Sequence, residues 1–209
     1  MKVLLFNGSP HKEGATYTAL AEIAKQLEQD GIEAQILQIG STPFAGCMAC
    51  RGCKGKGKCI FGDKDGLNEI LEACKAADGF VFGSPVYYAS ANGTLVSFLD
   101  RLFYAGGAAL THKPAAAVAC ARRGGTTATL DVINKYFTIN QMPVISSTYW
   151  NIVHSNRGAE EVTQDLEGMQ TMRNIGKNMA WILKCIEAGK QVGIGLPTAD
   201  SGNMTNFIR

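Results

Sequence analysis

Hydrophobic and polar positions fall in blocks along this chain. Residues 3–6, Val-Leu-Leu-Phe, form a continuous apolar run that stops abruptly at Asn7-Gly8-Ser9-Pro10. A run with no polar alternation suits a strand covered on both faces, as in a parallel sheet flanked by helices. Segments 32–39, 79–83, 113–120 and 143–148 read as four further strands. Between them, 16–29, 65–78, 92–104, 126–140 and 158–188 repeat apolar side chains three and four apart and predict helices. In the last of these, Met169, Met172, Ile175, Met179, Ile182 and Cys185 carry the repeat. Five strands alternating with five helices, every crossover long enough to be right-handed, define an α/β doubly wound five-stranded parallel sheet. The reading is one domain over 1–189, with a tail over 190–209. A long irregular stretch, 40–64, is inserted after the second strand, and loops of that length are usually functional or disordered.

In such sheets ligands sit outside the carboxyl ends of the strands, where the strand order reverses. That directs attention to the loops after strands one, three and four. The first runs from Ser9 through His11, Gly14 and Ala15 to Thr16 and opens a helix, whose N-terminal N–H groups welcome a phosphate. It has neither the spaced glycines of a dinucleotide fingerprint nor the Gly-Lys-Ser/Thr ending of a triphosphate loop. A monophosphate fits better, with ordinary helix capping by Thr16 as the alternative. The second loop, Ser84-Pro85-Val86-Tyr87-Tyr88, offers backbone amides and two aromatics that border a planar ring or else pack in a core or interface. The third, Ala121-Arg122-Arg123-Gly124-Gly125, allows close backbone approach to a ring edge. FMN, a flat heteroaromatic with one terminal phosphate, satisfies all three.

Charge narrows the partners. Lys+Arg 20 against Asp+Glu 18 leaves no general basic field, which argues against nucleic acid. No apolar run approaches membrane-spanning length, and the first residues do not resemble a signal peptide, so the expected location is the cytoplasm. In that compartment seven cysteines point to metal or redox chemistry rather than disulfides. Cys74, Cys120 and Cys185 are scattered in apolar contexts and read as small core residues. Cys47, Cys50, Cys53 and Cys59 instead crowd thirteen residues among glycines, with Arg51, Lys54, Lys56 and Lys58 to offset thiolate charge. Four thiolates at this spacing ligate a [4Fe–4S] cluster or Zn²⁺, or are free thiols in a substrate or interface loop.

The whole chain resembles the flavodoxin-like NAD(P)H-dependent FMN reductase family. The segments that carry the resemblance are Gly8-Ser9-Pro10 with Gly14-Ala15-Thr16, and Gly83-Ser84-Pro85-Val86-Tyr87-Tyr88 with Gly93 and Phe98-Leu99-Asp100-Arg101. This chain has His11 where the family usually has arginine, and Ala15 where it usually has asparagine or a similar residue. The cysteine pattern is similar to that of the iron–sulfur flavoprotein branch. The resemblance implies strand order 2-1-3-4-5 and FMN with its phosphate on Ser9–Thr16. It implies an isoalloxazine between Pro85–Tyr88 and Ala121, Arg122, Gly124 and Gly125, with a [4Fe–4S] cluster on the four cysteines close to the flavin. NAD(P)H or ferredoxin is then the expected electron donor, the partners are small-molecule or protein donors and acceptors, and the assembly is a homodimer or homotetramer. The alternative is a quinone, nitro or flavin reductase whose cysteine loop is only structural. Electron transfer of this kind requires no acid–base side chain, and none is assigned as catalytic. Trp150 is expected to border the flavin pocket, Trp181 to pack, and His112 and His154 to be surface or capping residues.

Overall fold

The computed structural model describes residues 1–156, 158–203 and 205. In chain order the elements are β1 (Lys2–Asn7), α1 (Ala15–Gln29), β2 (Glu33–Gln38), α2 (Leu67–Ala76), β3 (Gly79–Tyr87) and β4 (Ser90–Ala91). They continue as α3 (Gly93–Gly106), β5 (Ala115–Ala121), α4 (Thr126–Ile139), β6 (Ile152–His154), α5 (Ala159–Val162) and α6 (Leu166–Gln191). Five strands run parallel in the order β2-β1-β3-β5-β6, and the two-residue β4 folds back antiparallel on the end of β3. The sheet is the expected doubly wound one, with a sixth short strand. Its order reverses between β1 and β3.

Continuous apolar strands are explained by the two layers of helix. Leu4, Phe6, Phe80, Phe82 and Ala117 pack with Leu71 of α2, Phe98 and Leu102 of α3, and Ile133 and Phe137 of α4. Their neighbours Val3, Leu5, Val81 and Val118 pack on the other side with Leu20 and Ile23 of α1 and Met172 and Met179 of α6. Side chains alternate across a strand, so a sheet apolar on both faces needs apolar residues at every position.

The expected strand at 143–148 is not one. Pro143 lacks an N–H, and the segment makes a single bridge, Val144 against Ala115, with Ile145 N–H donating to Ala115 O at 2.8 Å. It then lifts off the sheet, because α6 satisfies its polar groups: Asn178 Nδ2 donates to Ser146 O and Ser147 Oγ to Thr171 O, each at 2.8 Å. The chain returns to the same edge as β6, which pairs with Ala119–Ala121. The expected last helix is split into α5 and α6 by Asp165. Its carboxylate accepts from Gly168 N at 2.9 Å as the cap of α6 and from His154 N at 2.8 Å. Helix α6 runs two residues into the expected tail. The described tail residues beyond it are in no regular element, and positions 204 and 206–209 lie outside the described residues. No helix among the described residues is long and apolar enough to cross a membrane.

Cys74 and Cys120 are buried, as expected of small core residues, whereas Cys185 on α6 is exposed, as is Trp181 beside it. Burial pushes both buried thiols from the ordinary value near 9 up to about 12. Between pH 9 and 12 the unfolded thiols lose protons that the folded ones keep. Stability is therefore unaffected below pH 9 and falls above it by roughly 1.4 kcal/mol per pH unit for each thiol. Urea midpoints across pH 8.5–10.5 are expected to fall more steeply in the parent than in a Cys74→Ala/Cys120→Ala variant.

Candidate functional site

The loop after β1 is held from within. Asn7 is fully buried at the end of β1, and its Nδ2 donates to His11 O at 3.2 Å, Lys12 O at 3.3 Å and Gln38 Oε1 at 2.6 Å. Its Oδ1 accepts from Ser9 N at 3.1 Å. Gln38, at the end of β2, donates in turn to Ser9 O at 2.7 Å. Ser9 Oγ accepts from His11 N at 3.2 Å, which leaves its own proton to donate. Helix α1 then begins after Gly14 with no side-chain cap, Thr16 lying inside the first turn instead of at the cap. The free N–H groups of that turn and its partial positive charge therefore face outward, with Ser9, His11 and Lys12 around them.

Glycines let the pieces approach. A Cβ on Gly8 would lie 2.7 Å from Gly83 O, the atom to which Gly8 N donates at 2.8 Å, and one on Gly83 would lie 2.8 Å from Thr16 Cγ2. Asn92 ties the β1 and β3 ends together: its Nδ2 donates to Gly8 O at 2.9 Å, its N to Ser84 Oγ at 2.9 Å, and its Oδ1 caps α3. The result is a cleft of about 820 Å³, within the range of small-molecule sites, at the carboxyl ends of β1, β3, β5 and β6.

Ser9, His11, Gly14, Ala15 and Thr16 line one wall, and Pro85, Val86 and Tyr87 a second, with Ala121 and Arg122 a third. Tyr88 and Gly124 are not among the lining residues. Tyr88 and Ala89 form a two-residue turn between β3 and β4 with positive φ at both, 50° and 60°, which leaves the Tyr88 side chain in solvent. Gly125, at φ 88°, turns under that hairpin: a Cβ there would be 2.6 Å from Ala89 Cα. Sequence reasoning missed Ser155 and Asn156, which follow the unforeseen β6 and line the same cleft, and it missed Asn7 and Gln38 behind the loop. Only Asn7, a polar residue closing an apolar strand, left a sequence signal. Cys120 also lines the cleft and, with its ionisation pushed up by burial, presents a neutral thiol. Trp150 lies elsewhere, in a shallow groove with Val144, Tyr149 and Leu130. His154 places Nδ1 3.2 Å from Ala121 O, and His112 sits at a turn with φ 66°.

All four clustered cysteines line a separate cavity of about 520 Å³, closed on one side by Arg101, Tyr104 and Ala105 of α3. All four are free thiols, with Cys50 exposed and the others half-buried. Among the described residues no three Cys, His, Asp or Glu side chains converge as a metal-ligand group. Among the described residues the two cavities share no lining residue. Asn92, which is bonded to Gly8 O, and Arg101, which borders the thiols, lie about 14 Å from each other along the α3 axis.

Fold and cleft together define a flavodoxin-like α/β protein with an open cleft at the switch point of its sheet. A family model for NADPH-dependent FMN reductases matches residues 1–157, and the chain belongs to that family, which makes it a flavin-dependent oxidoreductase. It is 32% identical to an iron-sulfur flavoprotein of Methanocaldococcus jannaschii, over 90% of this chain and 100% of that one. Among solved structures, RosB with bound 8-demethyl-8-formylriboflavin-5'-phosphate matches with a TM-score of 0.69 at 14% identity, over 100% of this chain and 94% of the other. An archaeal flavodoxin matches with a TM-score of 0.59 at 14% identity, over 88% and 99%. These two likenesses establish the fold.

Proposed function

We propose that the chain is an electron-transfer flavoprotein that holds FMN in the switch-point cleft and a [4Fe–4S] cluster on Cys47, Cys50, Cys53 and Cys59. The observation that carries the first half is the uncapped α1 N-terminus with Ser9 beside it, facing Pro85–Tyr87 and Ala121–Arg122 across one cleft. Ser9, Thr16 and the first-turn amides bind the phosphate, and His11 and Lys12 add positive charge. Pro85, Val86 and Tyr87 flank the ring, while Gly124, Gly125 and Tyr88 support or rim the site from outside its wall. Bound FMN supplies two-electron and one-electron chemistry, and a cluster accepts one electron at a time. Support for the second half is the shared cavity of four thiols and the names of relatives, including the Methanocaldococcus protein. Electrons come from NAD(P)H or a ferredoxin-like donor, and the assembly is a cytoplasmic homodimer or homotetramer.

A second reading, an NAD(P)H-dependent flavin, quinone or nitro reductase without a cluster, is favoured by the unconverged thiols. Anaerobic purification with flavin, iron and acid-labile sulfide analysis decides between them. About one FMN, four irons and four sulfides per chain, with a broad absorbance shoulder beyond the flavin peaks, is the expected result. Flavin without iron or sulfide, after attempted reconstitution, selects the second reading. No flavin at all overturns both.

A further inference from the structure

Helix α3 turns Phe98, Leu99 and Leu102 into the core, and among them stands a buried cation, Arg101, 4% exposed. A buried charge is costly unless paired and hydrogen-bonded. Here the partners are informative. Arg101 makes a forked ion pair with Asp65, from Nη1 to Oδ2 and from Nη2 to Oδ1 at 3.3 Å. Nη1 also donates to Ala45 O at 3.4 Å, and Nη2 to Cys59 Sγ at 3.5 Å. These groups lie just before the first clustered cysteine, at the last one, and just after it. One guanidinium therefore spans both ends of the thiol loop.

Other contacts divide the four cysteines into two pairs. The Cys59 backbone is held by Asn68 of α2, which accepts from Cys59 N and donates to Cys59 O, each at 2.9 Å. Cys53 Sγ lies 3.5 Å from Tyr104 O on α3. Cys47 and Cys50 have no side-chain hydrogen bond among the described residues. Cys53 and Cys59 are thus docked on the helical wall, whereas Cys47, half-buried, and Cys50, exposed, carry no such contact.

We propose that Arg101 is the positioning residue of the cysteine site. It fastens the loop with Cys53 and Cys59 pre-set against α3, and it supplies the buried positive charge beside the sulfur of Cys59. The proposal rests on reading the four cysteines as metal ligands. Lysine is no equivalent, because only the planar fork of arginine reaches Asp65, Ala45 O and Cys59 at once. Hydrogen bonds and charge at cluster sulfurs set reduction potential, so the same contact bears on redox behaviour.

Labelling of the full-length, iron-free chain with a bulky maleimide, followed by peptide mass mapping, tests this. Exposed Cys50 is expected to label at least about tenfold faster than Cys53 and Cys59, since opening the docked pair breaks the thiol–carbonyl contact of Cys53 and the charge-assisted contact of Cys59. In Arg101→Gln, Cys59 labelling is expected to rise about tenfold while Cys50 is unchanged, and Arg101→Lys restores part of the protection. In iron-loaded protein the cluster potential becomes more negative in Arg101→Gln and recovers partly in Arg101→Lys. Equal labelling of Cys59 and Cys50 in the parent overturns the proposal even if no variant folds. So does a folded Arg101→Gln with unchanged Cys59 labelling. A parent that takes up no iron and sulfide overturns the metal reading alone, because the labelling order is read without metal.

Discussion

Truncating Phe82 to alanine is expected to lower the unfolding free energy by about 3–5 kcal/mol. Phe82 is fully buried in β3, the central strand, and its ring stacks on Phe6 at a centroid distance of 4.6 Å and an interplanar angle of 6°. Phe137 approaches at 5.5 Å, Phe80 at 6.2 Å and Phe103 at 6.4 Å, so β1, β3, α3 and α4 all meet on this ring. In register, Phe82 lies between Phe6 and Ala117. The run of alanines in β5 has no side chain long enough to fill the space, and the hydrogen-bonded strands cannot close over it. The full cost of a cavity is therefore expected, set against a total stability of only about 5–15 kcal/mol for a domain. Urea unfolding followed by far-ultraviolet circular dichroism measures it, with Phe82→Leu, which refills most of the void, losing markedly less. A loss below about 1 kcal/mol would show that α3 and α4 collapse onto the gap.

That ring belongs to the part of the fold most legible in the sequence. The runs at Val3–Phe6 and Phe80–Phe82 are apolar at every position because helices cover both faces, so periodicity alone revealed parallel strands and pointed to loops that come to line one cleft. Periodicity failed where burial and pairing part company. Val144 and Ile145 are an apolar pair at the sheet edge, yet the edge hydrogen bonds pass to Ile152–His154, because Ser146 and Ser147 are claimed by α6. The same error hid Ser155 and Asn156, which reach the cleft only because β6 exists. Trp181 and Cys185 sit on a helix with a strong apolar stripe but lie off that stripe, in solvent.

Long-range polar partners were illegible for a different reason. Gln38 reaches Ser9 across 29 residues and Arg101 reaches Asp65 across 36, and neither separation imposes a local pattern. The cysteine motif told the number and closeness of the thiols. It did not tell that two of them dock on α3, nor that, among the described residues, their cavity and the switch-point cleft have no wall residue in common.

Gly40→Ala is expected to weaken FMN binding about 100-fold while leaving the chain folded, the loss of two charge-assisted hydrogen bonds to the phosphate being of that order. Gly40 follows β2 with an ordinary backbone conformation, and its N–H donates to Asn7 O at 3.0 Å. A methyl group there would lie 2.2 Å from Ser9 O, 2.3 Å from Ser9 C and 2.4 Å from Gly8 C. All three are backbone atoms and cannot rotate aside. Ser9 O is also the acceptor for Gln38 Nε2, so relieving the clash moves Ser9 and undoes the bond that fixes it. The strain costs about 1–3 kcal/mol, within what a domain of this size survives. Gly93→Ala is the control: the added methyl meets nothing within 4 Å, and at the first residue of α3 the change is expected to be neutral or slightly stabilising, with FMN affinity unaltered. Fluorescence titrations of the flavin-free proteins with FMN and with riboflavin separate the phosphate from the ring. The parent is expected to prefer FMN strongly, and Gly40→Ala to bind the two almost equally, because only the phosphate grip is lost. If Gly40→Ala keeps the parent's preference for FMN, the loop from Ser9 to Thr16 does not hold the phosphate, and the cleft must be oriented the other way about.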